Sequence, residues 1–411
     1  MKSILVIGGG EGQVPLIEEA HRMGYRAIVV SPKGNYRGQD IADMVIEEDI
    51  RFPDRILAHK ELDDENVVAV VSDQLDEAVP TVAKLAENFN VPSIGSEVAL
   101  RFKDKYIMRK AAQGIGVSVP KCVLIKDEEE LIKETGGLRF PVMIKPVDSA
   151  SSRGVYKAGD LVELRRCYSD SRRYSSVGVI VEEYISGREY VVEGFTVDYN
   201  PMNLIVGHRD YFDVPGTFIP CSTVFRDADS ATDDLEVRLK ELNFKIVKGF
   251  GLKFGLTHAE YIYNEVEDQI YLVEIAARGG GVCISSDLIP AACGLDSTSF
   301  YMRAALGEQI PQIRLRKGAA AYFCYMLPEG TVVSIEGVDK MQNVPGFIRA
   351  VLGNVEVGMC VAAARDKYSR KGPILVMGNT KEDCYTAIEK VKALFRVKVN
   401  TSTGIKESYW A

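Results

Sequence analysis

The first hundred residues alternate between strand and helix patterns, and this alternation constrains the fold more than any other feature of the chain. Short apolar runs typical of strands occur in "SILVIGG", "RAIVVS" and "VVAVVS", and helical patterns occur in "VPLIEEAHRMG" and "DEAVPTVAKLAENFN". Strands that alternate with helices indicate a parallel sheet with helices packed on it. We therefore expect a Rossmann-like domain in residues 1–100.

The glycine-rich turn after the first strand does not fit a dinucleotide-binding domain. In "GGGEGQ", Gln13 occupies the place of the third glycine of G-x-G-x-x-G. The second strand ends at Ser31 and Pro32, where an acidic residue would bind the ribose of NAD. The sequence thus disfavours NAD(P) binding and an oxidoreductase activity.

Length, charge and cysteine usage narrow the class of protein. A chain of 411 residues with 46% hydrophobic content can form two or three packed domains. The net charge of −8, without a Lys/Arg-rich run, disfavours nucleic acid as a partner. The N-terminal apolar run is too short for a signal peptide or a membrane span, and the eight cysteines contain no CxxC pair. We expect a cytoplasmic protein with reduced cysteines and small-molecule partners, without a membrane segment.

The later segments have mixed patterns that predict α+β domains. Residues 101–190 contain a basic helix "DKYIMRKAAQG", a strand "PVMIKPV", a small polar loop, a second helix and a strand in "VGVIVEEYISGREYVVEG". Residues 191–315 are rich in strands, with helices at "DLEVRLKELNFKIVKGFG" and "SSDLIPAACG". The sequence pattern of residues 316–411 predicts strands and one helix.

Two glutamates lie inside apolar strand patterns of "HAEYIYNEVEDQIYLVEIAARGGG". If the polar loop of this predicted hairpin centres on Glu267, Glu260 faces Glu274 and Tyr263 faces Tyr271. Cross-strand Cβ atoms lie roughly 5 Å apart, so two carboxylates there repel each other unless a cation lies between them. Mg²⁺ takes one or two protein carboxylates and completes its octahedron with phosphates and water. An exposed sheet face remains the alternative.

Candidate phosphate ligands occur in the central segment. Lys105 lies in the first turn of a predicted helix, where the helix dipole disfavours a cation and an anion nearby would compensate. Lys145 ends a strand that should be buried, just before Pro146. The loop that follows offers hydroxyl, backbone and guanidinium donors suited to phosphates, from Ser149, Ser151, Ser152, Arg153 and Gly154. A surface lysine and an ordinary polar turn remain the alternatives.

Acidic residues follow in "VIVEEYISGREY", where Glu182 and Glu183 close an apolar strand and Glu189 comes six residues later. An exposed pair is the alternative to a nucleotide contact. Taken in order, the two lysines, the serine loop, this segment, Glu260, Glu274 and Arg278 resemble the ATP-grasp superfamily over residues 1 to about 400. The stretch "VEIAARGGG" looks most like the subgroup of bacterial L-amino-acid ligases and carbamoyl-phosphate-synthase-like proteins.

The resemblance implies a domain organisation and a set of ligands. It implies a Rossmann-like preATP-grasp domain in residues 1–100, ATP-grasp subdomains in 101–190 and 191–315, and a biotin-carboxylase-like C-terminal lobe in 316–411. It also implies ATP and Mg²⁺, or Mn²⁺, as cofactors. Relatives are frequently homodimers, so a monomer and a homodimer both stay open.

The resemblance also implies a role for each candidate residue. Lys105 and Lys145 would hold phosphates under a flap of Ser151, Ser152, Arg153 and Gly154. The backbone of Glu183, Tyr184 and Ile185 would contact adenine, and Glu182 would also belong to the nucleotide site. Glu189 would bind ribose, Glu260 and Glu274 would bind metal, and Arg278 would act in catalysis with Lys145. Many relatives have an asparagine two residues after the second glutamate, whereas this chain has Ala276. The number of metal ions therefore stays open.

The implied chemistry is an ATP-dependent carboxylate–amine ligase that forms an acylphosphate and then an amide or peptide bond, releasing ADP and phosphate. The carboxylate and the amine would lie beside Arg278 and the glycines Gly279, Gly280 and Gly281, where missing side chains let a ligand approach backbone amides. The irregular stretch from His208 to Ser222, with Asp213, Gly216 and Pro220, is a candidate lining for the acceptor pocket. A bicarbonate-dependent carboxylase and a non-catalytic nucleotide-binding protein remain the alternatives.

Overall fold

The N-terminal part of the chain is a parallel sheet covered by helices. The computed structural model describes residues 1–148, 153–214, 217–353, 355–364 and 367–411. The strands are β1 (Lys2–Ile7), β2 (Arg26–Ser31), β3 (Met44–Glu47) and β4 (Asn66–Val71). They pair in parallel in the order β3-β2-β1-β4. The helices are α1 (Val14–Arg22), α2 (Arg37–Asp40), α3 (Pro53–Leu57), α4 (Val79–Asn88) and α5 (Ser96–Arg101). The predicted Rossmann-like layer is confirmed.

A small antiparallel sheet follows. Its strands are β5 (Cys122–Ile125), β6 (Val142–Pro146), β7 (Tyr156–Ala158) and β8 (Val179–Glu183), in the order β5-β8-β6-β7. The helices of this part are α6 (Lys105–Gly114), α7 (Glu130–Thr135) and α8 (Leu161–Arg172). The prediction of one strand through "VGVIVEEYISGREYVVEG" is wrong, because the chain leaves this sheet after Glu183. Gly187 has φ +155°, and an added Cβ would lie 2.1 Å from the Tyr263 carbonyl oxygen, so a tight crossing separates the two strand segments.

The remaining elements build two further sheets. The strands are β9 (Arg188–Val197), β10 (Asn200–Tyr211), β11 (Pro220–Asp227), β12 (Gly255–Asn264), β13 (Gln269–Ala276), β14 (Ala319–Tyr325), β15 (Gly330–Glu336), β16 (Phe347–Ala350), β17 (Cys360–Val361), β18 (Lys371–Gly378), β19 (Arg396–Thr401) and β20 (Gly404–Glu407). The helices are α9 (Asp234–Phe250), α10 (Ile289–Cys293), α11 (Ser297–Ala305), α12 (Val338–Met341) and α13 (Lys381–Leu394).

The large sheet joins the last two predicted domains. Eight antiparallel strands follow the order β13-β12-β9-β10-β11-β14-β18-β16. Because β11 pairs with β14, residues 191–315 and 316–411 share one sheet and are not separated by a cleft at their boundary. The other sheet has the order β17-β15-β19-β20. Beside this sheet, Trp410 packs against Phe323, Tyr325 and Phe395.

The hairpin of β12 and β13 brings the two strand glutamates together. Glu260 pairs with Glu274, as predicted. The predicted pairing of Tyr263 with Tyr271 is wrong, because the register shifts after Glu260 and Tyr263 pairs with Ile270. The shift leaves Val273 as an extra residue, and its carbonyl oxygen accepts a hydrogen bond from the Arg109 guanidinium at 2.7 Å. A β-bulge of this kind bends a strand and redirects side chains beside it.

Two simpler expectations can be checked in the fold. All eight cysteines are free thiols. Across the described ranges, no helix combines the length and the apolar character needed to cross a membrane.

Candidate active site

The predicted site residues converge on one large cavity of about 980 Å³. Its wall is built from the N-terminal Rossmann-like part, both sheets of the central region and the C-terminal part. The predicted residues on this wall are Lys105, Lys145, Arg153, Glu182, Glu183, Tyr184, Ile185, Glu189, Glu260, Glu274, Arg278 and Gly281. The predicted loop residues Ser149, Ser151 and Ser152, and Gly216 of the candidate acceptor stretch, lie outside the described residues.

Glu260 lies at the centre of a network of charges. Its Oε1 accepts hydrogen bonds from Arg209 Nη1 at 2.6 Å and interacts with His258 Nε2 at 3.1 Å. Arg209 also donates to Glu189 Oε1 at 2.5 Å, so one guanidinium serves two carboxylates. Burial alone would raise the pKa of Glu260, but the charges of Arg209 and His258 hold that pKa well below its usual range. Glu260 is therefore a carboxylate at neutral pH.

Glu274 is the more accessible of the two strand glutamates. Its side chain is 34% exposed, and its Oε1 lies 2.9 Å from Nζ of Lys105, which begins α6. The predicted anion beside Lys105 is thus Glu274 in this structure. Although burial opposes the charged form, Glu274 raises the pKa of Lys105. Lys105 and Glu274 enter the cavity as an ion pair that a phosphate and a metal ion could separate.

His258 was not among the predicted site residues, and Arg209 was covered only as part of the candidate acceptor stretch from His208 to Ser222. His258 Nδ1 lies 2.5 Å from Oε1 of Glu193, a fully buried carboxylate on β9. Burial disfavours the charged imidazole, but Glu193 and Glu260 raise the pKa of His258 to about 9. Each contact follows from strand register, since His258 pairs with Glu193 and Arg209 pairs with Glu189. The sequence signal that could have found Arg209 and His258 is a polar residue inside an apolar strand pattern, the same signal that identified Glu260.

Glu182 holds a buried ion cluster together. Its Oε2 accepts from Arg109 Nε and Nη2 at 3.1 and 3.0 Å, and its Oε1 pairs with Lys145. The side chains of Arg109 and Glu182 are 0% and 2% exposed. The Glu182 carboxylate, predicted to belong to the nucleotide site, is thus already bound by two cations. The sequence signal missed here was Arg109, one helical turn after Lys105 on the same face of α6.

The strand end after Glu182 offers backbone groups to the cavity. The Glu183 carboxylate binds Arg139, with a shortest distance of 2.8 Å. The N–H groups of Glu183 and Tyr184 donate to the carbonyl oxygens of Lys121 and Pro141. Ile185 comes next on the cavity wall.

Arg278 connects the central region with the N-terminal part. It forms two parallel hydrogen bonds with Asp76, Nε to Oδ1 and Nη2 to Oδ2, both at 2.9 Å. Burial alone would raise the pKa of Asp76, but the charge of Arg278 holds it well below its usual range. The same pair raises the pKa of Arg278 above its ordinary value. Arg278 is thereby fixed in one orientation at the cavity wall.

Gly279 and Gly280 serve a different purpose from the predicted one. The Gly279 N–H donates to Asp73 Oδ1 at 2.8 Å, and the Gly280 N–H donates to Glu193 Oε2 at 3.1 Å. An added Cβ at Gly279 would lie 2.3 Å from Cβ of Ser285. These glycines are small because buried groups approach them, so the prediction that both present free amides to a substrate is wrong. Gly281 does line the cavity, and nothing lies within 4 Å of its would-be Cβ.

Two further predicted positions flank the cavity. Arg153 lies on the cavity wall and pairs with Glu77 at 3.1 Å. Gly154 has φ +70°, and an added Cβ would lie 2.8 Å from the Tyr174 ring, so this position requires glycine. From the candidate acceptor stretch, Arg209, Tyr211, Phe218 and Pro220 line the cavity, whereas Asp213 does not.

Comparisons with known proteins identify two regions of the chain. Residues 138–286 match the ATP-grasp domain, and residues 323–400 match the L-amino acid ligase C-terminal domain 2. The chain therefore contains an ATP-grasp domain, as its sequence resemblance predicted. The predicted likeness to L-amino-acid ligases is confirmed by the second match.

Individual ATP-grasp relatives support the same assignment. Over 197 residues, 48% of this chain, the sequence is 27% identical to D-alanine–D-alanine ligase B of Chromobacterium violaceum. The aligned part is 63% of that ligase, so the chain spans less than two thirds of this relative.

Solved structures confirm the fold over nearly the whole chain. The structure of L-amino acid ligase from Bacillus licheniformis has a TM-score of 0.81 at 19% identity, covering 98% of this chain and 99% of that one. The biotin carboxylase domain of the Hydrogenobacter thermophilus 2-oxoglutarate carboxylase, in complex with MgADP and bicarbonate, has a TM-score of 0.73 at 17% identity and covers 99% and 91%. The predicted ATP-grasp fold with a biotin-carboxylase-like C-terminal lobe is therefore confirmed.

Proposed function

We propose that this ATP-grasp protein is an ATP-dependent carboxylate–amine ligase that releases ADP and phosphate. The observation that carries the proposal is the pairing of Glu260 with Glu274 across the hairpin, in one cavity with Lys105, Lys145 and Arg278. A cavity of about 980 Å³ is large enough for a nucleotide and small substrates together.

The two carboxylates fit a divalent cation such as Mg²⁺ or Mn²⁺. Glu260 and Glu274 project from paired positions of β12 and β13 onto the cavity wall. Among the described residues no group of three or more His, Cys, Asp and Glu side chains is suited to a metal ion. A set of two carboxylates matches the way Mg²⁺ binds together with nucleotide phosphates. When bound, the metal ion would supply positive charge that neutralises the phosphate oxygens.

The nucleotide would lie between the small sheet and the hairpin. We propose that Lys105 and Lys145 hold its phosphates, with Ser151, Ser152, Arg153 and Gly154 as the covering loop. The adenine would contact the segment from Glu183 to Ile185. Glu189 would bind a ribose hydroxyl while it keeps its hydrogen bond with the Tyr211 hydroxyl.

The chain's own residues supply positioned charge to the reaction. The substrate carboxylate attacks the γ-phosphate of ATP, and ADP leaves. The amine then attacks the acylphosphate carbon and a C–N bond forms. The C–O bond to phosphate breaks, phosphate leaves with the electron pair, and the amine nitrogen releases a proton to solvent. Phosphoryl transfer depends mainly on alignment and charge neutralisation, which lysines and Arg278 provide without a dedicated base. Arg278 is already oriented by Asp76, so it can bind the acylphosphate with little reorganisation.

ATP consumption tests this function directly. The purified protein is incubated with ATP and Mg²⁺ and with amino acids singly and in pairs, with and without bicarbonate, and the nucleotide products are separated. Release of ADP and phosphate that requires a particular acid and amine supports the ligase. Release driven by bicarbonate would favour a carboxylase, and AMP with pyrophosphate would overturn the acylphosphate route. Sedimentation of the same sample tests the homodimer, which stays a prediction.

A further inference from the structure

Most of the lysine and arginine side chains on the cavity wall form ion pairs, with two exceptions. Eight lysine and arginine side chains line it. Six of them form ion pairs with carboxylates on the same wall, namely Arg51 with Asp49, Lys105 with Glu274, Lys145 with Glu182, Arg153 with Glu77, Arg209 with Glu189 and Glu260, and Arg278 with Asp76. The remaining two are Lys367 and Arg370, both from the C-terminal part of the chain.

Lys367 and Arg370 come from one short segment. Lys367 begins a 3₁₀ turn, Lys367–Ser369, and Arg370 follows it just before β18. Arg370 Nη1 donates to the Pro220 carbonyl oxygen at 2.8 Å, and its guanidinium lies 5.8 Å from the centre of the Tyr322 ring. Neither cation forms an ion pair with a carboxylate in the part of the chain that the structure describes. Burial and the charge of Arg370 lower the pKa of Lys367 to about 8.

Two neighbouring cations that are partly removed from water and lack a counter-ion are unfavourable unless an anion joins them. A carboxylate or phosphate group accepts charge-assisted hydrogen bonds from both an ammonium and a guanidinium. Arg278, Asp76 and Glu260 are all within electrostatic reach of Lys367. An anion bound at Lys367 would therefore lie beside the end of the cavity where we place the acylphosphate.

We propose that Lys367 and Arg370 bind the unreactive anionic group of the amine-supplying substrate. This inference rests on the proposed ligase function and narrows its substrate class to amino acids and other amines that carry a carboxylate or a phosphate. The carboxylate of the acid substrate is consumed when it becomes an acyl group, whereas an amino acid that supplies the amine keeps its own carboxylate. Tyr211, Phe218 and Pro220 line the same region and would surround the rest of this substrate.

The kinetic test compares matched amines. Once an acid and an amino acid that release ADP together are found, the same amino acid is offered as its carboxamide, which removes the negative charge. We expect kcat/KM of the wild type to favour the free acid by about 10- to 100-fold. Lys367→Met should reduce this preference to near unity mainly through KM of the amine substrate, and Lys367→Arg should restore most of it. Lys340→Met, at an exposed position of α12, is the matched control and should keep the wild-type preference.

Binding of small anions tests the subsite without activity. With ADP and Mg²⁺ present, succinate and inorganic phosphate are added separately and the melting temperature is followed. Either anion should raise the melting temperature of the wild type and of Lys340→Met, and leave that of Lys367→Met unchanged. A response to succinate alone would indicate a carboxylate, and a response to phosphate alone a phosphorylated amine.

The outcomes separate this inference from the ligase proposal. ADP release with equal kcat/KM for the free acid and its carboxamide would overturn the anionic subsite while leaving the ligase intact. Absence of ATP consumption, together with anion stabilisation that depends on Lys367, would overturn the ligase and support the subsite. The inference also fails if neither anion stabilises the wild type, or if Lys367→Met responds like the wild type.

Discussion

Replacing Glu274 by glutamine should strongly reduce activity while leaving the stability of the fold almost unchanged. The side chain is 34% exposed, so water screens its ion pair with Lys105, and a glutamine can still accept the lysine hydrogen bond. We expect the free energy of unfolding to fall by about 1 kcal/mol at most. If Glu274 binds the metal ion, the same change removes one of two metal carboxylates. Loss of one positioned electrostatic group commonly lowers kcat by about 10²- to 10³-fold.

For Glu182, in contrast, we expect the same substitution to cause a large loss of stability. Its carboxylate and the Arg109 guanidinium are 2% and 0% exposed, and Lys145 shares the carboxylate. Glu182→Gln would leave two cations without their buried counter-ion, and breaking a pair of this kind costs about 3–5 kcal/mol of stability. Glu182→Gln should therefore unfold at clearly lower denaturant concentration than Glu274→Gln.

The assay combines ADP release with denaturant unfolding followed by far-UV circular dichroism. Tryptophan fluorescence is unsuitable because Trp410, the single tryptophan, packs in the C-terminal aromatic cluster, remote in sequence from both glutamates. Glu265→Gln, in the exposed loop of the same hairpin, is the control and should match the wild type in both measurements. Wild-type turnover by Glu274→Gln would refute the metal assignment. A stability loss above about 3 kcal/mol in that variant would refute the argument from screening.

Substitutions at Gly279, Asp73 and Arg209 test the packing and the charges around the cavity, with Gly281→Ala and Arg209→Lys for comparison. Gly279→Ala should lose about 1–3 kcal/mol of stability because its Cβ would lie 2.3 Å from that of Ser285, whereas Gly281→Ala, which has nothing within 4 Å, should be neutral in the same thermal melts. Burial raises the pKa of Asp73 to about 6, so the stability that this group contributes at low pH is lost as pH rises through 6. Asp73→Asn should therefore flatten the dependence of melting temperature on pH between 4 and 7, and an unchanged slope would argue against this origin. Arg209→Met leaves two carboxylates without their shared cation and should cost about 3–5 kcal/mol in denaturant unfolding, a loss that Arg209→Lys should partly recover.

The hairpin could be predicted because both its signals are local. Glutamates in apolar strand patterns and a polar loop between them fix which residues face each other, and the pairing of Glu260 with Glu274 follows. The bulge at Val273 was not predictable from the local pattern: the pairs next to the loop are offset by one residue from the predicted register, and the extra residue Val273 restores that register at Glu260 and Glu274. The error affected the pairing of Tyr263 and left the site unchanged.

The partners of the predicted residues could not be predicted from the sequence, for a physical reason. Arg209 reaches Glu260 from β10, two strands away from β12 across β9, so the contact depends on the register of two strand pairs at once. Asp76 and Arg278 are 202 residues apart in the chain and meet only through the packing of the N-terminal part on the central region. Sequence patterns report local periodicity, and they contain no measure of how separate sheets pack.

The ion pair of Lys105 with Glu274 predicts that the proposed nucleotide and metal ion bind cooperatively. A phosphate bound to Lys105 would leave the Glu274 carboxylate without its counter-ion. A metal ion bound to Glu274 would likewise leave the buried Lys105 ammonium without its counter-ion. Only the two ligands together replace both halves of the pair, so each should strengthen the binding of the other. We expect calorimetry to show at least about tenfold tighter ADP binding with Mg²⁺ than with EDTA in the wild type, and a much smaller difference in Glu274→Gln, where the metal carboxylate is gone. Equal ADP affinity of the wild type with and without Mg²⁺ would show that Lys105 and Glu274 do not exchange partners.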